Sequence, residues 1–196
     1  MISLGVALLL SPSQPTKDVI IRDARAMAKE ASRFAEKNEG LKQMFMQDAE
    51  NTDKWTRMEN EESHLDKDGM WQAGDVAFTW LKSGSWVALC SVSSGSPSGD
   101  WGAQTEYTFR PDGSLAIISS RYAGFSPVEG AVIRERIFDA NGKLVHEGAK
   151  CQDLSGRKLI TGDEAKEMRQ YAPKVPNYLR SRDLPFYSQL KFQARR

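Results

Sequence analysis

The chain has little of the chemistry that most often betrays an activity. Its 196 residues include only two histidines and two cysteines. His64 and His146 stand in no H-E-x-x-H spacing, and Cys90 and Cys151 form no C-x-x-C, so the usual zinc signatures are absent. There is no G-x-S-x-G elbow, no P-loop and no Rossmann glycine fingerprint. No metal, cofactor or catalytic residue is implied. An excess of either charge is also missing: 27 basic against 26 acidic residues leave +1, which gives no electrostatic case for nucleic acid or an anionic membrane surface. No apolar run approaches the roughly 20 residues that a transmembrane helix needs. Carboxylates need no motif, so a hydrolase working through them stays open as the last-ranked reading.

Two cysteines also constrain the fold. Cys90 falls in the second expected ladder strand and Cys151 in the last. In an open sheet those strands are four apart, roughly 19 Å at the usual strand spacing. A disulfide needs Cα atoms within about 7 Å. Two buried free thiols are therefore expected, unless the sheet curls into a barrel.

What is present is a repeat. Trp80-Leu81-Lys82-Ser83-Gly84-Ser85-Trp86 aligns with Phe109-Arg110-Pro111-Asp112-Gly113-Ser114-Leu115 and with Phe138-Asp139-Ala140-Asn141-Gly142-Lys143-Leu144, the glycines recurring every 29 residues. Weaker turn signals lie near the midpoints, at Ser98-Gly99 and Glu129-Gly130. Asn-Gly and Asp-Gly supply the positive φ that tight hairpin loops require. Between the turns, Trp101 to Phe109 alternates apolar with polar residues, the mark of a half-buried antiparallel strand. The expectation is an α+β fold in which about six strands over 70–153 form an antiparallel β-meander.

Helices flank the ladder. Over 16–38, Ile20, Ala24, Met27, Ala31 and Phe34 draw one apolar stripe behind a Thr16 cap. A second helix is expected over 41–50, and both should pack on one sheet face. The polar stretch 47–68 reads as a solvated connection, with Trp55 and Met58 tucked onto the core. The serines from Ser91 to Ser98 read as a flexible loop. Gly162-Asp163-Glu164 opens a short C-terminal helix ending near Tyr171, where Pro173 and Pro176 break the chain. Residues 16–196 thus read as one domain. Ahead of it, Leu4 to Leu10 followed by Ser11-Pro12-Ser13 resembles the core and cleavage zone of a secretory signal, with a hydrophobic arm as the alternative. A periplasmic or secreted location is expected, the cytoplasm being the alternative.

Two sets of residues are candidates for binding. Hairpin register places Glu106 opposite Ser119, Ser119 opposite Arg136 and Arg136 opposite Glu147, with Gln104, Arg121 and Arg134 in the next row. This polar face is either a solvated surface with weak ion pairs, the favoured reading, or a ligand-binding donor patch of Arg121, Arg134 and Arg136 beside Glu106. Tyr107, Phe109, Ile118, Tyr122, Ile133, Ile137 and Leu144 then form the opposite, apolar face. Second, the C-terminal tail is unusually aromatic. It either clamps the sheet, again the favoured reading, or offers Tyr178, Phe186 and Tyr187 to a protein or cell-envelope partner.

The element aromatic-x-x-(D/N)-G-x-L, as in Tyr107-Thr-Phe109-Arg-Pro-Asp112-Gly113-Ser-Leu115, resembles the variant MORN-type hairpin repeat of bacterial proteins over about residues 70–150. It is also similar to small exported bacterial proteins with YxFxxDGxL strands. The resemblance implies an antiparallel meander with a binding or scaffold role and carries over no catalytic residue. The resulting expectation is a non-enzymatic exported binding module. The alternative is a carrier for a small acidic or amphipathic ligand inside a curled sheet.

Overall fold

The computed structural model describes residues 15–59, 74–83, 85–96, 98–125 and 129–192. The signal-like segment at Leu4–Leu10, His64 and Gly84 lie outside them. Helix α1 (Lys17–Lys37) is followed by a nine-stranded antiparallel sheet. Its strands are β1 (Gln43–Gln47), β2 (Trp55–Met58), β3 (Val76–Lys82), β4 (Trp86–Gly95), β5 (Trp101–Phe109), β6 (Leu115–Gly124), β7 (Gly130–Phe138), β8 (Leu144–Gln152) and β9 (Leu159–Ile160). Helix α2 (Gly162–Tyr171) and an irregular segment to residue 192 complete the described residues. The spatial order is β2-β1-β3-β4-β5-β6-β7-β8-β9, so β3 pairs with β1 rather than with its predecessor β2. The fold is α+β, as expected.

The repeat folds as its turn chemistry dictates. Gly113 and Gly142 take φ of +80° and +82°, which an L side chain resists. In both loops the residue three before the glycine closes the turn with its carbonyl, Arg110 accepting from Gly113 N and Asp139 from Gly142 N. The side chain of Asp112 accepts from Ser114 N, and that of Asp139 from Asn141 N and Lys143 N, so each acid fixes its own loop. A register shift follows at the equivalent step of both hairpins, Thr108/Phe109 and Ile137/Phe138. In the first hairpin it lies one residue later, at Trp80/Leu81. There, Ser83 has a φ of 53°.

Two expectations are corrected. The segment 41–50 is not a helix: Glu39–Leu41 makes one 3-10 turn and Gln43–Gln47 is strand β1. Short apolar runs are ambiguous in period, and here tertiary pairing decides, with Phe45 fully buried on one face while Met44 and Met46 point to the other. The expected six-stranded ladder over 70–153 is present as β3–β8, and β1, β2 and β9 extend it at both ends. Ser91, Ser93 and Ser94 belong to β4 rather than to a flexible loop.

Both faces of the sheet are covered in part. On one, α1 lays Ile20, Ala24 and Met27 over Ile117 and Ile137, then Ala31, Phe34 and Ala35 over Trp80 and Leu89. Small residues on the helix bring its axis close to the strands. On the other face, residues 162–192 run across the whole width of the sheet as a strap. Met168, Ala165 and Ala172 pack on Val132 and Cys151. At the far end Phe186 stacks on Phe45 with ring centroids 4.3 Å apart and meets Trp55 at 5.1 Å. Cys90 and Cys151 are buried free thiols four strands apart.

Candidate functional site

The site is built by the strap, and its path follows from its prolines. Ala172 precedes Pro173 and takes φ −65°, ψ 127°, which ends α2. From there to Tyr178 the segment holds neither helix nor strand, so its carbonyls lack backbone partners. Side chains of the sheet supply them. Arg134 donates to Arg169 O at 2.9 Å and to Pro173 O at 3.5 Å. Arg136 donates to Val175 O at 2.9 Å, and the Tyr107 hydroxyl to Pro176 O at 3.3 Å. Beyond Tyr178, Leu115 N donates to Leu179 O and Ser181 N to Gly113 O, which pins the strap to the second repeat hairpin. Gln189 closes the far end by donating to Trp55 O and accepting from Arg57 N.

The four residues of the expected donor patch are therefore separated. Arg134 and Arg136 lie under the strap. Glu106 and Arg121 lie on the α1 side of the sheet. The cause is one residue of register: the loop between β6 and β7 closes on the pair Gly124–Gly130, so Ser119 stands opposite Glu135 rather than Arg136. The expected pairs Glu106–Ser119 and Arg136–Glu147 are present. The apolar set divides as well, with Tyr107, Phe109, Ile118 and Tyr122 under the strap and α2, Ile137 under α1, and Leu144 exposed. Glu135 now faces α1, where its carboxylate takes Arg25 at 2.6 Å and lies 3.4 Å from His146. Glu106 is half-buried, and burial raises its pKa above the ordinary carboxyl value.

The tail aromatics separate similarly. Phe186 is 1% exposed and serves as core. Tyr178 packs against Tyr107, ring centroids 5.2 Å apart. Tyr187 is half-buried and pairs with the more exposed Phe192 at 5.5 Å. It also lines an open cleft of about 430 Å³ with Trp86, Asp112, Arg180 and Arg182.

The strap does not seal the sheet completely. Between them lies a pocket of about 160 Å³, floored by Val92, Ser94, Ala103 and Thr105 and roofed by the chain from Pro173 to Pro176. Trp55, Tyr107 and Tyr178 supply aromatic walls, and Asp75 a carboxylate. It is more enclosed than the cleft at Arg180 or a groove of about 500 Å³ beside α1. Burial, foremost, and the Asp75 charge, to a smaller degree, push the Tyr107 and Tyr178 hydroxyls upward, so both are neutral donors at physiological pH. Among the described residues no cluster of three metal-ligating side chains occurs. Comparison with protein-family models, with curated proteins and with solved structures gives no match.

Sequence reasoning missed this pocket. Trp55 and Tyr178 read as core or clamp residues, and Asp75 carried no signal. The one available clue was the spacing Pro173-Lys174-Val175-Pro176, which marks an extended segment that must find its hydrogen bonds outside itself.

Proposed function

We propose that this chain is a non-enzymatic binding module that receives a small ligand between the sheet and its C-terminal strap. One observation carries the reading: a partly enclosed, aromatic-walled pocket lies beneath a segment held by side chains of the sheet rather than by a ladder of its own. A strap tied by a few side-chain bonds opens at less cost than a paired strand, which gives a ligand a way in. A ligand-observed NMR screen of small cationic, anionic and neutral fragments tests it. Hits are expected, and Ser94→Phe, which fills the pocket from its floor, should abolish them. Hits that persist in that folded variant, or no hits at all, overturn the reading.

A second reading rests on the cleft at the repeat hairpins. There Tyr187, Trp86, Arg180 and Arg182 share an open surface, which suits an acidic segment of a protein or cell-envelope partner. Capture of such a partner should be lost in Tyr187→Ala and Arg182→Glu, and unchanged capture removes the cleft from consideration. Export remains part of the proposal. Sequencing the N-terminus of protein recovered from the periplasm or medium tests it, and a chain found only in the cytoplasm refutes it.

A further inference from the structure

The composition of the strap pocket selects among ligands. Its walls hold four aromatic rings, Trp55, Tyr107, Tyr178 and Phe186, and its acidic group is Asp75. Among the described residues the Asp75 carboxylate has neither an ion pair nor a side-chain hydrogen bond, so its charge is unspent. Its field reaches both phenols, since it contributes to raising each of them. The basic groups nearest by are committed or peripheral: Arg136 donates to the strap, and Lys174 lines the pocket but is exposed. The volume of about 160 Å³ is small beside the roughly 300–1,000 Å³ of pockets for larger ligands.

Resting on the reading of the pocket as a ligand site, we infer that its ligand is a small organic cation of the methylated-ammonium class. Aromatic faces attract a cation through their quadrupoles, and a diffuse, weakly hydrated ammonium loses little by leaving water for such a site. A compact primary ammonium needs several hydrogen-bond acceptors on desolvation, and one carboxylate among rings offers too few. An anion would meet the Asp75 carboxylate, with the exposed Lys174 at the rim and Arg136 turned to the strap carbonyl.

Choline is the probe, and its neutral isostere 3,3-dimethylbutan-1-ol the control, followed by intrinsic tryptophan fluorescence and calorimetry. Choline should bind at least about tenfold more tightly than the isostere, which corresponds to one or two cation–aromatic contacts. Asp75→Asn should weaken choline by about the same factor and leave the isostere unchanged. Tyr178→Leu, at a half-buried position, provides a second test should Asp75→Asn fold poorly, and it too should weaken choline. Lys174→Ala should strengthen choline binding, because it removes a competing positive charge from the pocket rim. Equal binding of choline and the isostere, both lost in Ser94→Phe, overturns the cation inference and leaves the pocket reading standing. Acetate binding that is lost in Lys174→Ala also overturns it. Loss of every fragment hit, choline included, brings down both.

Discussion

Phe186→Ala is the sharpest test of the strap. The ring is 1% exposed, lies nearly parallel to Phe45 with an interplanar angle of 13°, and meets Trp55 at 56°. Removing it deletes six buried ring carbons and two aromatic contacts in a place where the sheet floor cannot rise to fill the gap. Such truncations cost about 3–5 kcal/mol, the lost aromatic pairing included. That is a large share of the roughly 5–15 kcal/mol that holds a domain together. With a urea slope near 2–3 kcal/mol per molar, the unfolding midpoint should fall by about 1–2 M. Phe192→Ala is the internal control. Its ring is 39% exposed, and its loss should cost less than about 1 kcal/mol. Denaturant melts by circular dichroism and by tryptophan fluorescence should also coincide, because the strap and sheet share one core. A Phe186→Ala loss below about 1 kcal/mol, or one equal to that of Phe192→Ala, would mean that the strap does not hold this face.

Three further outcomes follow from the geometry. Gly113→Ala and Gly142→Ala should each cost about 1–2 kcal/mol in thermal melts, from positive φ alone. Gly113 should cost more, because a new Cβ would stand 3.0 Å from Ser181 Oγ, whereas at Gly142 the nearest neighbour is 3.7 Å away. Thiol titration should count no reactive cysteine in the native protein and two in denaturant, with or without prior reductant, since both are free and buried and burial pushes the Cys90 thiol up to about 12. A disulfide would contradict the open sheet. Glu106 has a folded pKa raised by burial, so the folded state holds its proton more tightly than the unfolded chain. Its contribution to stability is therefore most favourable below the unfolded carboxyl pKa and is lost as pH rises through the folded one. Glu106→Gln should raise the melting temperature relative to wild type near neutral pH and lose that advantage in acid. A constant difference across pH would show that the carboxylate is fully hydrated.

Legibility in the sequence tracked locality. The turn glycines Gly99, Gly113 and Gly142, the α1 stripe and the start of α2 at Gly162 depend on a few neighbouring residues, and the structure bears out each of them. β1 failed because five residues carry too few periods to separate 3.6 from 2, and its partners β2 and β3 are what make it a strand. The division of the arginines failed by a single residue of loop length. Alternation says that two residues share a face, and it says nothing of which face a neighbouring strand presents until the loop between them is fixed.

The tail explains the environment that Arg136 takes. A flat sheet with an open polar face would leave the guanidinium in water, and a curled sheet would bury it against a carboxylate. The sheet is open, with β2 and β9 as separate edges, yet the face is covered because thirty-odd residues of tail lie across it. Arg136 stands opposite Glu147 on the strand and donates to Val175 O above it. Its fork satisfies the strap carbonyl, so the residue that resembled a ligand donor is spent on the roof. A site that must hold a ligand beneath such a roof then has to use what remains, which is aromatic surface and the carboxylate of Asp75.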